Sequence, residues 1–213
     1  MTRALPLLCL CALACDRKAP PPRPMAATVA PRHAVLGPGD TVPGASIYAL
    51  DVALTDQGGK AIKLDVFRGH PVILSMFYAS CPHACPLLIS NVQTLEASLP
   101  PGVREKTRVL LVSFDPARDT TAALEQVLTT RKLDRDRWTL ATAPDDQVRE
   151  IAAVLGIKYR ETPIDGDGGL RREYNHSSVI TLLDAQGRID LRADGLADGT
   201  APLGKRLAEL AAK

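Results

Sequence analysis

One stretch limits the folds open to this chain more than any other: Val72 to Pro86, which reads V-I-L-S-M-F-Y-A-S-C-P-H-A-C-P. The run Val72–Tyr78 is almost wholly apolar and follows Gly69-His70-Pro71. A run of this kind marks a strand covered on both faces. Past Cys85 the period changes, and Leu88, Val92, Leu95 and Leu99 recur at helical spacing on one face. Cys81 and Cys85 therefore stand where a buried strand hands over to a helix, the place where open α/β sheets build their sites. Helix N–H groups there carry partial positive charge, which favours thiolate over thiol. If both cysteines are helical, they lie about 40° apart on one face, with His83 turned away. Two thiolates with one imidazole from elsewhere make a soft metal site; two thiols alone make a redox pair. Pro82 is expected near the helix start and Pro86 in an irregular turn, because both fit poorly in one regular first turn. His70, in the turn before the strand, reads as structural.

The rest of the chain supplies a frame for that junction. Tyr48–Thr55 and Ala61–Val66 flank Asp56-Gln57-Gly58-Gly59, a hairpin signal. Arg108–Phe114 is a second buried strand that stops at Asp115-Pro116, and Asp119-Thr120 caps a helix carrying Leu124, Val127 and Leu128. Trp138–Ala141 is a short strand, and Pro144–Leu155 is a helix with Val148, Ile151, Ala152 and Leu155 on one face. Arg160–Asn175 reads as a polar loop, and Val179–Leu183 pairs with Arg188–Arg192 around Asp184-Ala185-Gln186-Gly187. A last helix carries Leu203, Leu207 and Leu210. This order predicts an α/β fold, thioredoxin-like, with a mixed central sheet and an N-terminal β-hairpin extension. The loop Asp165–Gly169 lacks the alternating ligands and closing Glu of a calcium loop and reads as a turn.

The N-terminal part follows a different logic. Arg3 precedes the apolar residues Ala4–Ala14, too few for a membrane span of about 20 but enough for a signal segment over residues 1–14. Ala12-Leu13-Ala14-Cys15 resembles a bacterial lipobox, imperfectly at Ala12 and Leu13, with lipid attached to Cys15. Asp16 resembles the residue that retains such lipoproteins in the inner membrane, so the expected place is the periplasmic face of that membrane. Residues 15–45 form a lipid-anchored, proline-rich linker holding seven of the chain's 17 prolines. Removal of Cys9 and Cys11 with the signal leaves Cys81 and Cys85 as the thiols of the folded part, residues 46–213. A disulfide closing so short a loop adds little chain-entropy stabilisation, which favours a chemical role for the pair. The net charge of +2, with no basic patch of interleaved aromatics, gives no case for nucleic acid. The cluster Arg131, Lys132, Arg135 and Arg137 reads as a solvated face.

Three segments together resemble the signatures of the Sco/SenC family: Phe77–Pro86 (F-Y-A-S-C-P-H-A-C-P), Ser113–Thr120 (S-F-D-P-A-R-D-T) and Tyr174–Gly187 (Y-N-H-S-S-V-I-T-L-L-D-A-Q-G). The resemblance implies a copper-binding, thioredoxin-fold protein anchored near a respiratory oxidase, and it carries the copper ligands onto Cys81, Cys85 and His176. Asp115 and Asp119 match the family's acidic segment, where helix capping accounts for Asp119. The family's usual Asp before the ligand histidine is Asn175 here, which can hydrogen-bond but adds no charge to the imidazole. Copper(I) is soft and accepts thiolates with imidazole as third donor, so the chemistry agrees.

The resemblance implies a copper chaperone that delivers its ion to the binuclear copper site of a cytochrome c oxidase subunit, with another copper chaperone or a thioredoxin-like reductant as further partners. The alternative is a thiol–disulfide oxidoreductase in which Cys81 and Cys85 are catalytic and keep the partner's copper-ligand cysteines reduced. Ordinary thioredoxins use CxxC and a proline before the facing strand; here Ser177-Ser178 enters that strand. A peroxidase is the weakest reading, since Tyr78 stands where such sites place Thr.

Overall fold

The computed structural model describes residues 45–166, 169–196 and 200–213. The expected signal segment, Cys15 and the expected linker up to residue 44 lie outside the described residues, as do positions 167–168 and 197–199. Among the described residues no helix is long and apolar enough to cross a membrane.

Strands β1 (Leu54–Asp56) and β2 (Ala61–Ile62) form the N-terminal hairpin, shorter than the sequence pattern suggests. Asp56 closes it by accepting from the N–H groups of Gly58 and Lys60. Tyr48 lies instead in a 3-10 turn over Ile47–Ala49, and Leu64–Phe67 is a second such turn. Leu64 and Phe67, three apart, both reach the core that way, which a strand would not allow. The strands β3 (Val72–Phe77), β4 (Arg108–Ser113) and β5 (Trp138–Thr142) run parallel to one another. The strands β8 (Val179–Leu183) and β9 (Ile189–Asp194) add an antiparallel pair beyond β3. The sheet order is β2-β1-β5-β4-β3-β8-β9, a mixed sheet with β3 near its middle.

Every residue of β3 is buried, as its unbroken apolar run requires. Each large apolar side chain removed from water there contributes about 1.5–3 kcal/mol, so the strand that delivers Cys81 is among the most firmly held. Helix α1 (Ala84–Ser98) buries Leu88, Ile89, Val92 and Leu95 against the sheet. Helices α2 (Pro101–Lys106), α3 (Thr121–Thr130), α4 (Asp145–Leu155) and α5 (Ala201–Ala211) complete the layers. The hairpin turn before β9 is tied to the N-terminal segment. Gly187 has φ +78°, and a Cβ there would lie 2.5 Å from the Tyr48 ring.

Two expectations are corrected. The segment from 160 to 175 is not a loop: β6 (Tyr159–Gly166) and β7 (Gly169–His176) form a two-stranded antiparallel arm, with Tyr159 opposite His176 and Gly166 opposite Gly169. It is a sheet of its own, outside the main one. A ladder that need not bury either face shows no apolar alternation, so its sequence looks like a loop. Likewise Arg137 does not belong to a solvated face. It turns inward to Glu96 and Asp134, with its side chain 18% exposed.

Candidate metal centre

The first donor, Cys81, sits in the bend between β3 and α1 and is not helical. Its backbone N–H donates to the Tyr78 carbonyl. Cys85 lies in the first turn of α1, with Pro86 beside it in regular helix and Pro82 before the helix. The irregular turn expected at Pro86 is absent, because a first-turn N–H has no partner within the helix and its loss costs nothing. The cysteines are therefore brought together by the bend and not by helical spacing. The Cys85 N–H donates to Cys81 Sγ over 3.3 Å, as the helix-start argument requires.

The third group, His176, comes from the end of β7, on the arm. Its Nε2 lies 3.9 Å from Cys85 Sγ, and one ligand atom from each of Cys81, Cys85 and His176 lies within 4.8 Å of the others. Among the described residues this is the one such group of possible metal ligands. Both cysteines are buried and free, and His176 is half-buried. Its Nδ1 faces the Ser177 carbonyl at 3.3 Å, which leaves Nε2 for the thiols. Asn175 is exposed, opposite Arg160 in the ladder. The carbonyl of Ser177, not residue 175, is thus the neighbour that can orient the imidazole. His83 is exposed, as expected, and His70 holds the Lys106 carbonyl at 2.9 Å in a structural role.

The two thiols are not equivalent. Donation from the Cys85 thiol, opposed by burial and aided by His176, pulls the Cys81 thiol far below the usual thiol range. The same bond, with burial, pushes the Cys85 thiol up. The pair thus favours one negative charge, on Cys81.

An aromatic cluster walls the site. The His176 ring lies 4.8 Å from the Phe114 ring and 6.0 Å edge-on from Tyr78. Tyr174 packs edge-on against both Tyr78 and Phe114 at 5.2 Å, and Tyr159 stacks on Phe114. Tyr78 is therefore part of that wall. Burial, and next the Cys81 sulfur, push its hydroxyl up, so it stays protonated.

Neither acidic residue of the Asp115–Asp119 segment is a donor. Asp119 is buried and does not cap α3. That role falls to Thr120, whose hydroxyl accepts from the Ala123 N–H. Asp119 instead accepts from the Ala79 N–H at 2.9 Å and from the Ser113 hydroxyl at 2.5 Å, and burial raises its carboxyl despite both bonds. Asp115, also buried, pairs with Arg118 and accepts from the Tyr174 hydroxyl at 3.2 Å. Sequence reasoning found these aspartates by motif but not their partners, which lie 40 and 59 residues away in the chain.

The donor set is soft: two sulfurs and one imidazole nitrogen, with the nearby carboxylates engaged elsewhere. Three donors within 4.8 Å of one another fit a small ion of soft character and suit a calcium or magnesium ion poorly.

Comparison with known proteins points the same way. The family model described as SCO1/SenC matches residues 43–211. A protein of Stutzerimonas stutzeri assigned as copper-binding is 28% identical over 67% of this chain and 70% of its own. The chain spans between 44% and 70% of the length of the curated relatives it matches. The copper-bound structure of Bradyrhizobium japonicum ScoI superposes with a TM-score of 0.60, at 22% identity, over 75% of this chain and 96% of that one. BsSco, described as having a disulfide switch and as a member of the Sco family of cytochrome c oxidase assembly proteins, gives 0.60 at 16% identity, over 75% and 90%.

Proposed function

The chain belongs to the SCO1/SenC family, and from that premise we propose that it binds copper through Cys81, Cys85 and His176 and hands the ion to the binuclear copper site of a cytochrome c oxidase subunit. The observation that carries this reading is the meeting of three soft donors, two from the β3–α1 junction and one from the arm, within 4.8 Å. Copper is cargo here. The two sulfurs supply affinity for copper(I), and the imidazole completes a three-coordinate site that an acceptor can enter. Cys85 must lose a proton when copper binds, so loading is coupled to pH.

The decisive experiment titrates reduced, anaerobic protein with copper(I) against a competing chelator. We expect one tight copper per chain, abolished by Cys81→Ser with Cys85→Ser and weakened about tenfold by His176→Ala. Binding indifferent to His176 would sink the three-donor reading.

A second reading keeps the thiols as a redox pair that reduces the acceptor's cysteines, accepting two electrons' worth of oxidation as a Cys81–Cys85 disulfide. The charge asymmetry favours it, since Cys81 is ready to attack and Cys85 to resolve. Reduction of an oxidised acceptor peptide by the metal-free protein, with the disulfide appearing in step, tests it. Lipid on Cys15 and a place at the periplasmic face of the inner membrane complete the proposal. The mass of the mature, membrane-extracted chain checks the anchor.

A further inference from the structure

The arm formed by β6 and β7 has a ladder of its own and shares none with the main sheet. Its internal bonds therefore do not decide where His176 sits relative to Cys81 and Cys85, which belong to the main body. The short link Ser177-Ser178 into β8 and contacts at the base of the arm do so. Ring packing among Tyr78, Phe114, Tyr159 and Tyr174 supplies area, but such contacts slide. Hydrogen bonds at the base are directional. The Tyr174 hydroxyl, two residues before His176, donates to buried Asp115 at 3.2 Å. Arg118 pairs with the same carboxylate and lies over the Tyr174 ring, 5.8 Å from its centre.

The other end of the same loop reaches the bend that carries Cys81. Asp119 accepts from Ala79, two residues before Cys81, and from Ser113. The loop after β4 thus grips the cysteine bend through Asp119 and the histidine arm through Asp115.

We propose that the Asp115–Tyr174 hydrogen bond is a latch that docks the arm and sets the distance of His176 from the two thiols. Asp115 and Tyr174 are then positioning residues for the third donor alone. This rests on the reading of Cys81, Cys85 and His176 as copper donors. It adds that a binding partner able to compete for the Tyr174 hydroxyl would loosen His176 first and leave the thiolates in place.

Tyr174→Phe keeps the ring and removes the bond, so the fold is retained. In metal-free protein we expect amide exchange in arm residues 159–162 and 173–176 to run about fivefold faster, the worth of one ordinary hydrogen bond, with β3 and β4 unchanged. Unchanged arm exchange overturns the latch. In the copper(I) titration we expect about fivefold weaker binding, and no further loss when Tyr174→Phe is added to His176→Ala. Equal weakening in both backgrounds overturns the assignment to His176. Asp115→Asn keeps an acceptor and should restore most of what Asp115→Ala loses; equal loss in both also counts against the latch. If wild type and His176→Ala bind copper alike, the donor reading fails, and the exchange result alone then judges the docking role.

Discussion

Cys81 and Cys85 share an element junction but not an environment. Cys81 accepts the Cys85 N–H and the proton of its thiol, while Cys85 sits deeper, at 2% exposure against 8%. Lowering the Cys81 thiol makes it a thiolate through the neutral range. Removing the Cys85 donor should return it toward the usual value of about 8.5. Alkylation of Cys81 by a small reagent should therefore be nearly flat between about pH 6 and pH 9 in Cys85-containing protein. In Cys85→Ala the rate should climb about tenfold per pH unit until the restored value is reached. The same flat profile in both proteins would show that His176 and the backbone N–H groups, not the Cys85 thiol, hold Cys81 down. The cysteines were legible in the sequence because spacing and a change of period lie within one short window. His176 was legible only by resemblance to a motif, since no local pattern ties it to residues 91 positions earlier. The engagement of Asp115 with Tyr174 was not legible at all, for a bond across the fold leaves no trace in either residue's neighbourhood.

Strands and helices that bury a regular stripe were read nearly as they stand: β3, β4, β5, α1, α3, α4 and β8 each carry an apolar pattern that only one element type satisfies. The arm was missed because its cohesion is backbone pairing, to which composition is blind. The last helix was legible from Leu203, Leu207 and Leu210, yet its register on the sheet depends on a polar contact that was not. Arg206 of α5 grips Asp190 of β9 with two bonds of 2.6 Å. That pairing lowers the Asp190 carboxyl, with the Arg206 hydrogen bond as the largest cause. A folded value below the unfolded one means the contribution is present above about pH 4 and is lost as pH falls through the folded value. Asp190→Asn should accordingly destabilise the protein at neutral pH, and the gap to wild type should close below about pH 4. Urea unfolding at a series of pH values measures the gap. A difference that persists undiminished in acid would mean that packing, not charge, joins α5 to β9.

Because the donors come from positions 81, 85 and 176, and the loop that grips both sides from 115 and 119, the site exists only when the whole sheet has assembled. Stability and copper chemistry should nevertheless separate, since a buried polar clamp of the fold lies away from the donors. Glu96, at 5% exposure on α1, accepts from Arg137 at 2.5 Å and from the Trp138 indole N–H at 2.8 Å, with Arg104 of α2 at 3.7 Å. One carboxylate thus joins α1, α2 and the start of β5. Deleting it leaves the buried Trp138 indole donor without its acceptor and Arg137 with Asp134 alone, a loss of about 1–3 kcal/mol. That is a large share of a total that is ordinarily about 5–15 kcal/mol. Glu96→Gln keeps an acceptor for Trp138 and should lose clearly less. Urea unfolding of metal-free protein should rank wild type above Glu96→Gln and Glu96→Ala last. The copper(I) affinity of the native fraction should stay the same in all three, because no bond of Glu96 reaches the donor set. A loss under about 1 kcal/mol in Glu96→Ala would place this network with ordinary surface pairs. A drop in copper affinity at full folding would show that the clamp on α1 also governs where Cys85 stands.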